Sequence, residues 1–224
     1  MFHYFTYHSS IVNMYPFITP TTISLSGISG AGKTFWVRRL IQNLDLMFEP
    51  CPVKVMYAYN VWQNIFSEME KEHDFINFVE GLPTENDLEN LLDNNPQCLI
   101  LDDMMLECLN NARIERLFTQ GSHHRNLTVI FLNQNAFCQG KNARNINLNT
   151  HHMILFKNPR DTQQIKLLGR QLGFGKCLEE AYVDALSEKY GYLCIDMSPH
   201  SEDLHRMRTN IFPSEDTVVY IPKK

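Results

Sequence analysis

The sequence has no apolar run of membrane-spanning length, no Cys-x-x-Cys pair, no internal repeat, no low-complexity tract and no basic excess. Each absence excludes something. A bilayer-spanning helix needs about 20 consecutive apolar residues, so a soluble chain with no membrane role is expected. The Met1–Tyr15 stretch is rich in aromatics and histidine, and it lacks the basic start and continuous apolar core of a secretory signal. Secretion is therefore not expected. The six cysteines, at 51, 98, 108, 138, 177 and 194, are scattered. Such scatter points to reduced thiols in a cytosolic or nuclear setting rather than a disulfide framework or a zinc site. The neighbours His123-His124 and His151-His152 make poor chelates, because adjacent residues on a strand point to opposite faces. A net charge of −5 excludes a chain that binds polyanions with its whole surface. An Asn-Lys-x-Asp guanine-reading motif is also missing, which weighs against a GTPase switch.

What is present is concentrated in residues 27–34, Gly-Ile-Ser-Gly-Ala-Gly-Lys-Thr, a complete Gly-x-x-x-x-Gly-Lys-Thr phosphate loop. The β-branched run Thr21–Leu25 before it predicts a strand. Lys33–Asn43 after it, with Phe35, Trp36, Val37, Leu40 and Ile41, predicts a helix. That context fits the chemistry. The glycines let backbone N–H groups turn toward a polyphosphate, and the helix N-terminus adds partial positive charge. Gly27, Ser29, Gly30, Ala31, Gly32, Lys33, Thr34 and Phe35 are the expected nucleotide-binding residues. Lys33 can reach the β- and γ-phosphates, and the Thr34 hydroxyl can ligate Mg²⁺.

Short apolar runs alternate with helical patterns along the remainder. Strands are expected at Val53–Tyr59, Phe75–Val79, Cys98–Leu101, Leu127–Leu132, His152–Phe156, Tyr192–Ile195 and Thr217–Ile221. Helices are expected at Val61–Lys71, from an N-cap at Thr84 with Asp87 three residues on, and at Ala112–Thr119, Asp161–Leu172 and Leu178–Lys189. The alternation argues for an α/β fold, a mainly parallel central sheet with helices on both faces and ligands at the C-terminal ends of its strands. With 224 residues and no linker, one domain over 16–224 is expected, preceded by a disordered or loosely docked extension over 1–15.

Leu99-Ile100-Leu101-Asp102-Asp103 is an apolar strand ending in paired acids, the Walker B pattern. Asp102 suits Mg²⁺, and Asp103 stands where a carboxylate can polarise water. The next strand ends in amides, and either Asn133 or Gln134 can orient water or sense loss of a phosphate. An arginine supplied to the transferring phosphoryl group has candidates in Arg125, just before that strand, and in Arg113, Arg116, Arg144 and Arg160. Charge is segregated. Glu68 to Glu115 holds thirteen acidic and two basic residues, whereas Gln139 to Lys176 holds seven basic and one acidic. The basic segment is a candidate contact for DNA or for a neighbouring subunit.

These motifs, together with the blocks Phe118–Asn135, Ile146–His152, Phe156–Asp161 and Tyr190-Gly191-Tyr192-Leu193, resemble the HerA–FtsK superfamily of P-loop ATPases. The likeness runs from about Pro16 to Pro213, and it is to the genome-packaging ATPases of large DNA viruses (poxvirus-type), adintoviruses and Polinton/Maverick elements. The resemblance implies a RecA/FtsK-like fold with ATP and Mg²⁺. It implies Lys33, Asp103, Gln134 and a trans-acting Arg125 as catalytic residues, with Thr34 and Asp102 on the metal. It further implies double-stranded DNA as partner, a homo-oligomeric ring of five or six subunits, capsid or procapsid proteins, and a place at viral assembly sites in the cytoplasm or nucleus of a host cell. The sequence departs from several superfamily members in carrying Asp rather than Glu at 103. A small-molecule or nucleotide kinase and an inactive nucleotide-binding copy are the alternatives. The intact Lys33, Thr34, Asp102 and Asp103 count against the inactive copy.

Overall fold

The computed structural model describes residues 2–7, 15–104, 107–108, 111–118, 126–135, 143–160 and 162–222, with backbone alone at 2–7 and 143. Ten strands form one sheet in the order β1-β12-β11-β10-β9-β3-β8-β7-β5-β6. The parallel half comprises β3 (Thr22–Ser26), β5 (Lys54–Tyr59), β6 (Ile76–Glu80), β7 (Gln97–Asp102), β8 (Leu127–Asn133) and β9 (His152–Phe156). The antiparallel half adds β10 (Tyr192–Asp196), β11 (Met207–Thr209), β12 (Thr217–Pro222) and β1 (Phe2–Tyr7). A separate parallel pair, β2 (Phe17–Ile18) with β4 (Phe48–Glu49), has too few residues to leave a periodic signal.

Alternation along each strand builds two faces. Ile23 and Leu25 of β3, Val55 and Tyr57 of β5, Cys98 and Ile100 of β7, and Ile130 and Leu132 of β8 share one face. Helix α1 (Lys33–Gln42) covers it with Trp36, Val37, Leu40 and Ile41, and α3 (Asn64–Glu72) with Phe66 and Met69. A short α2 (Leu44–Met47) follows α1. Met56, Ala58, Leu99, Leu101, Leu127, Val129 and Phe131 face the other way, under Leu88 and Leu91 of α4 (Glu85–Leu91), Ile114 and Ile146. A third cluster joins β9 and β10 to the helices Thr162–Gln171 and Lys176–Ala185 through Met153, Leu155, Leu193, Ile195, Leu168 and Leu178. The second and third clusters are separated by β3, whose other face is Thr22, Ser24 and Ser26, all buried. Asn133 Nδ2 donates to Ser24 Oγ across this polar seam at 3.3 Å.

The mainly parallel sheet with helices on both faces is the expected α/β arrangement, but the late strands depart from it. Two helices rather than one join β9 to β10, and β10 runs antiparallel to β9. The second of these helices ends at Ala185, earlier than the sequence pattern predicts, because a tight turn with Tyr190 in left-handed backbone (φ 63°) leads into β10. The N-terminal stretch adds a strand that the sequence pattern does not mark. Of the two alternatives, a disordered or a loosely docked extension, Phe2–Tyr7 takes the docked one and pairs antiparallel with β12, Phe2 opposite Pro222 and Tyr7 opposite Thr217. The physical reason is composition and an open edge. Phe-His-Tyr-Phe-Thr-Tyr is dense in aromatic and β-branched residues, and it satisfies backbone groups that β12 otherwise leaves unpaired.

The expected cap on α4 is a reciprocal capping box. Asp87 N–H donates to Thr84 Oγ1 at 3.2 Å, and Thr84 N–H to Asp87 Oδ2 at 2.8 Å. Thr84→Ala should therefore cost about 1 kcal/mol. Ile130→Ala, in the fully buried β8, should cost roughly 2–5 kcal/mol through lost burial and a residual cavity. Urea unfolding of the two variants measures both, and equal small losses would contradict a close-packed central strand.

Candidate nucleotide-binding site

The phosphate loop leaves β3 at Ser26 and enters α1 at Lys33. Gly27 is required by close approach, because a Cβ there would stand 2.6 Å from Phe156 Cβ of β9. Gly30 and Gly32 have φ of 78° and 106°, the left-handed region that side chains disfavour. Gly32 is the N-cap of α1, and no side chain caps that helix. Its first-turn N–H groups are thus left without a side-chain cap, an arrangement suited to an anion. Lys33 arches back over the loop, its Nζ donating to Gly27 O at 2.6 Å and Ile28 O at 3.2 Å. Burial lowers the Lys33 pKa, against the opposing pull of Asp102 and Asp103.

Asp102 ends β7 on the face covered by α1 and α3, and it is buried. Tyr57 Oη, from the adjacent β5, donates to its Oδ2 at 2.6 Å. Burial raises the Asp102 pKa, and the Tyr57 hydrogen bond, the Lys33 charge and the Thr34 hydroxyl oppose that rise. Asp103 lies just past the strand in left-handed backbone, φ 55°. Two amides hold it. Asn60 Nδ2 donates to its carbonyl at 2.8 Å, and Gln134 Nε2 donates to its Oδ1 at 3.2 Å.

These groups meet in one cleft of about 540 Å³. Ser29, Gly30, Gly32, Lys33, Thr34 and Phe35 line one wall, and Asp102, Asp103 and Gln134 line another. Gly27 and Ala31 stand behind the loop. Their N–H groups donate to Asn133 O and Ile28 O, so they shape the cradle and do not line it. Between the two amides open in the sequence, Asn133 is buried against Ser24 and Gln134 lies at the acids. Arg125 lies outside the described residues, and Arg113, Arg116, Arg144 and Arg160 are not among the cleft-lining residues. His151 and His152 have structural partners: His151 Nδ1 accepts from Thr22 N–H at 3.2 Å, and His152 lies 3.4 Å from Asp196.

Sequence reasoning missed Tyr57, Asn60, Gln63 and Tyr190. The first three sit at the end of β5 or just beyond it, and only the pairing of β5 with β7 brings Tyr57 and Asn60 to the acids. Alternation marks Tyr57 as inward-facing, but nothing local marks its partner.

A phosphate loop between β3 and α1, with an acid pair ending a nearby parallel strand, defines the P-loop NTPase fold of the α/β class. The particular likeness is viral. The chain is similar to the DNA-packaging ATPase B204 of Sulfolobus turreted icosahedral virus, with 14% identity, 94% of this chain and 100% of that one covered, and a TM-score of 0.57. It is also similar to the genome-packaging NTPase B204 of Sulfolobus turreted icosahedral virus 2 in complex with ATP-γS, with 13% identity, 92% and 98% covered, and a TM-score of 0.56. The same NTPase in complex with AMP matches at 13% identity, 80% and 94% covered, and a TM-score of 0.54. No protein-family model and no curated protein matches the sequence. The resemblance to packaging ATPases read from the motifs therefore reappears among the structural neighbours. At these identities the likeness establishes the fold.

The raised pKa of Asp102 has a consequence for stability. A carboxyl that holds its proton more tightly folded than unfolded stabilises below its unfolded pKa, and that contribution is lost as pH rises through the folded value. The folded protein should therefore carry an electrostatic penalty near neutral pH. Asp102→Asn keeps an acceptor for Tyr57 and removes the charge. It should raise the melting temperature near neutral pH, by roughly 2–4 °C per kcal/mol relieved, with little gain in acid. A lower melting temperature at neutral pH would show that the carboxylate is well compensated.

Proposed function

We propose that this chain is an ATP-hydrolysing DNA translocase that packages a viral or transposon double-stranded genome into a capsid. The observation that carries the reading is the meeting of Lys33, Asp102, Asp103 and Gln134 in one cleft beside an uncapped helix N-terminus. The similarity in fold to B204 supports the packaging task.

The donor set suits Mg²⁺-nucleotide. A carboxylate buried enough to have its pKa raised, beside a threonine hydroxyl, is a site that a divalent cation would stabilise. Asp102 and Thr34 would hold the ion, which when bound offsets phosphate charge. Lys33 exchanges its Gly27 and Ile28 carbonyl partners for the β- and γ-phosphates. Asp103 takes the proton of the attacking water, and Gln134 orients that water. Arg125 of a neighbouring subunit completes the site in a ring of five or six copies. The basic segment 139–176 contacts DNA, capsid or procapsid proteins receive the genome, and assembly sites in the host cytoplasm or nucleus are the setting. The ATPase domain spans 16–224, with the Phe2–Tyr7 strand added to the edge of its sheet.

ATP hydrolysis by the purified chain, with and without long double-stranded DNA, tests this. Turnover should rise with DNA and fall by on the order of 100-fold or more in Lys33→Ala. DNA-independent turnover from an assembled, nucleotide-binding protein would overturn translocation. Reversing Lys141 and Arg144 to Glu should weaken DNA stimulation while sparing nucleotide binding. Unchanged stimulation would remove that segment from the DNA path.

A further inference from the structure

Tyr190 is a bulky residue held in left-handed backbone, φ 63°, in the turn before β10. Such strain persists where surrounding structure enforces it, and it concentrates at functional positions. Here the enforcement is visible. Gly191 N–H donates to Glu188 O at 3.1 Å, and a Cβ on Gly191 would stand 2.3 Å from Ala185 O. The strained ring gains little burial in return. It is 54% exposed, and it belongs to no core cluster among the described residues. Instead it lines the nucleotide cleft and stands against the phosphate loop, where a Cβ on Gly32 would meet Tyr190 Cδ1 at 3.2 Å.

The sheet order fixes which end of the cleft this is. Along the loop-bearing edge the order runs β7, β8, β3, β9, β10. Asp102, Asp103 and Gln134 stand at the ends of β7 and β8, and the phosphate loop follows β3. Tyr190 stands beyond β9, at the head of β10, on the flank opposite the acids. A nucleoside triphosphate with its terminal phosphate at the acids extends its base toward the other flank. Phe35, 52% exposed in the first turn of α1, is a second ring open to the same cleft. Beyond the loop's own Ser29, Lys33 and Thr34, the polar lining side chains Asp102, Asp103, Gln134 and Gln63 follow β7, β8 and β5, on the side of β3 away from β10. Among the described lining residues, the β10 flank thus contributes an aromatic ring and no amide or carboxylate.

We propose that Tyr190 stacks on the base of the bound nucleotide, and that the site reads a purine by its ring face rather than by its edge. Adenine and guanine nucleotides then bind with similar affinity, because every base offers a π-face while only edge contacts tell one base from another. Lys189, whose ammonium lies 4.9 Å from the Tyr190 ring centroid, adds positive charge beside the same flank. The inference rests on the nucleotide-binding reading of the cleft.

The test is calorimetric binding of Mg²⁺-ATP, Mg²⁺-GTP and Mg²⁺-tripolyphosphate to the full chain, to Tyr190→Ala, to Tyr190→Phe and to Tyr190→Asn, which tolerates left-handed backbone. Tyr190→Ala and Tyr190→Asn should weaken both nucleotides by roughly 5- to 100-fold, the range of base–aromatic stacking, with tripolyphosphate unchanged. Tyr190→Phe should bind like the parent, and the parent should favour neither purine by more than about threefold. Equal losses for nucleotide and tripolyphosphate would assign Tyr190 to shaping the Gly32 turn and overturn stacking, as would no loss for either. A strong preference for one purine would overturn face reading. A parent that binds tripolyphosphate and nucleotides equally well would sink the stacking proposal alone, whereas one that binds none of the three would remove the nucleotide-binding reading itself.

Discussion

The parallel register of the central strands is the constraint on which the site depends. Asp102 pairs with Tyr59 on one side and Leu132 on the other, while Ser26 pairs with Asn133 and Leu155. The chain therefore turns over at one edge in four successive strands. Gly27 to Thr34, Asp102-Asp103, Gln134 and Asn60 meet there although long stretches of sequence separate them. A slip of one residue in β7 would carry Asp102 from the α1 face to the opposite one, away from Tyr57 and Thr34. Protection against that slip lies in β7 and β8, whose central residues Cys98–Leu101 and Val129–Leu132 are apolar on both faces. Leu99 and Leu101 belong to one cluster and Cys98 and Ile100 to another, so any slip exchanges two packed surfaces at once.

On that scaffold the cleft holds opposite charges in a place that resists charge. Burial lowers the Lys33 pKa and raises that of Asp102, each toward its neutral form, although the two attract one another. Desolvation outweighs Coulomb attraction for both partners, the usual balance for ion pairs taken out of water. The Tyr57 hydroxyl, a short donor to Asp102, and the Thr34 hydroxyl relieve part of the penalty. The cleft is therefore electrostatically costly, and a polyanion with its cation would settle both groups in their charged forms. This is the ordinary conflict between stability and a site kept ready for a ligand.

Local signals made much of this legible. The loop, α1, the apolar β7 ending in two acids and the Thr84 capping box each depend on residues within one turn or one strand, and each lies close to where its pattern predicts. What escaped depends on partners distant in the chain. Phe2–Tyr7 becomes a strand because β12 leaves an edge. Tyr57, Asn60 and Gln63 enter the site through strand pairing and helix placement, and Tyr190 through a turn whose left-handed backbone has no glycine to announce it. Gly27 and Ala31 show the converse. Their motif places them in the loop, but only the fold shows that their N–H groups are already bonded behind it.

The polar seam on β3 explains how the choice between the two amides is made. Asn133 shares its side of β8 with Leu127, Val129 and Phe131, so its amide points to the face where β3 presents Thr22, Ser24 and Ser26. A buried amide needs partners, and Ser24 Oγ accepts from its Nδ2. Asn133 is thereby committed to the seam, while its carbonyl accepts the Gly27 N–H and fixes the root of the phosphate loop. Gln134, one residue later and past the end of the strand, is released from the face that holds Asn133. Its longer side chain reaches Asp103. The small hydroxyl residues of β3 thus anchor the loop through one amide and leave the next one at the acids. A larger apolar residue at Ser24 would join the two clusters that the seam now separates and remove the acceptor that holds Asn133 in place.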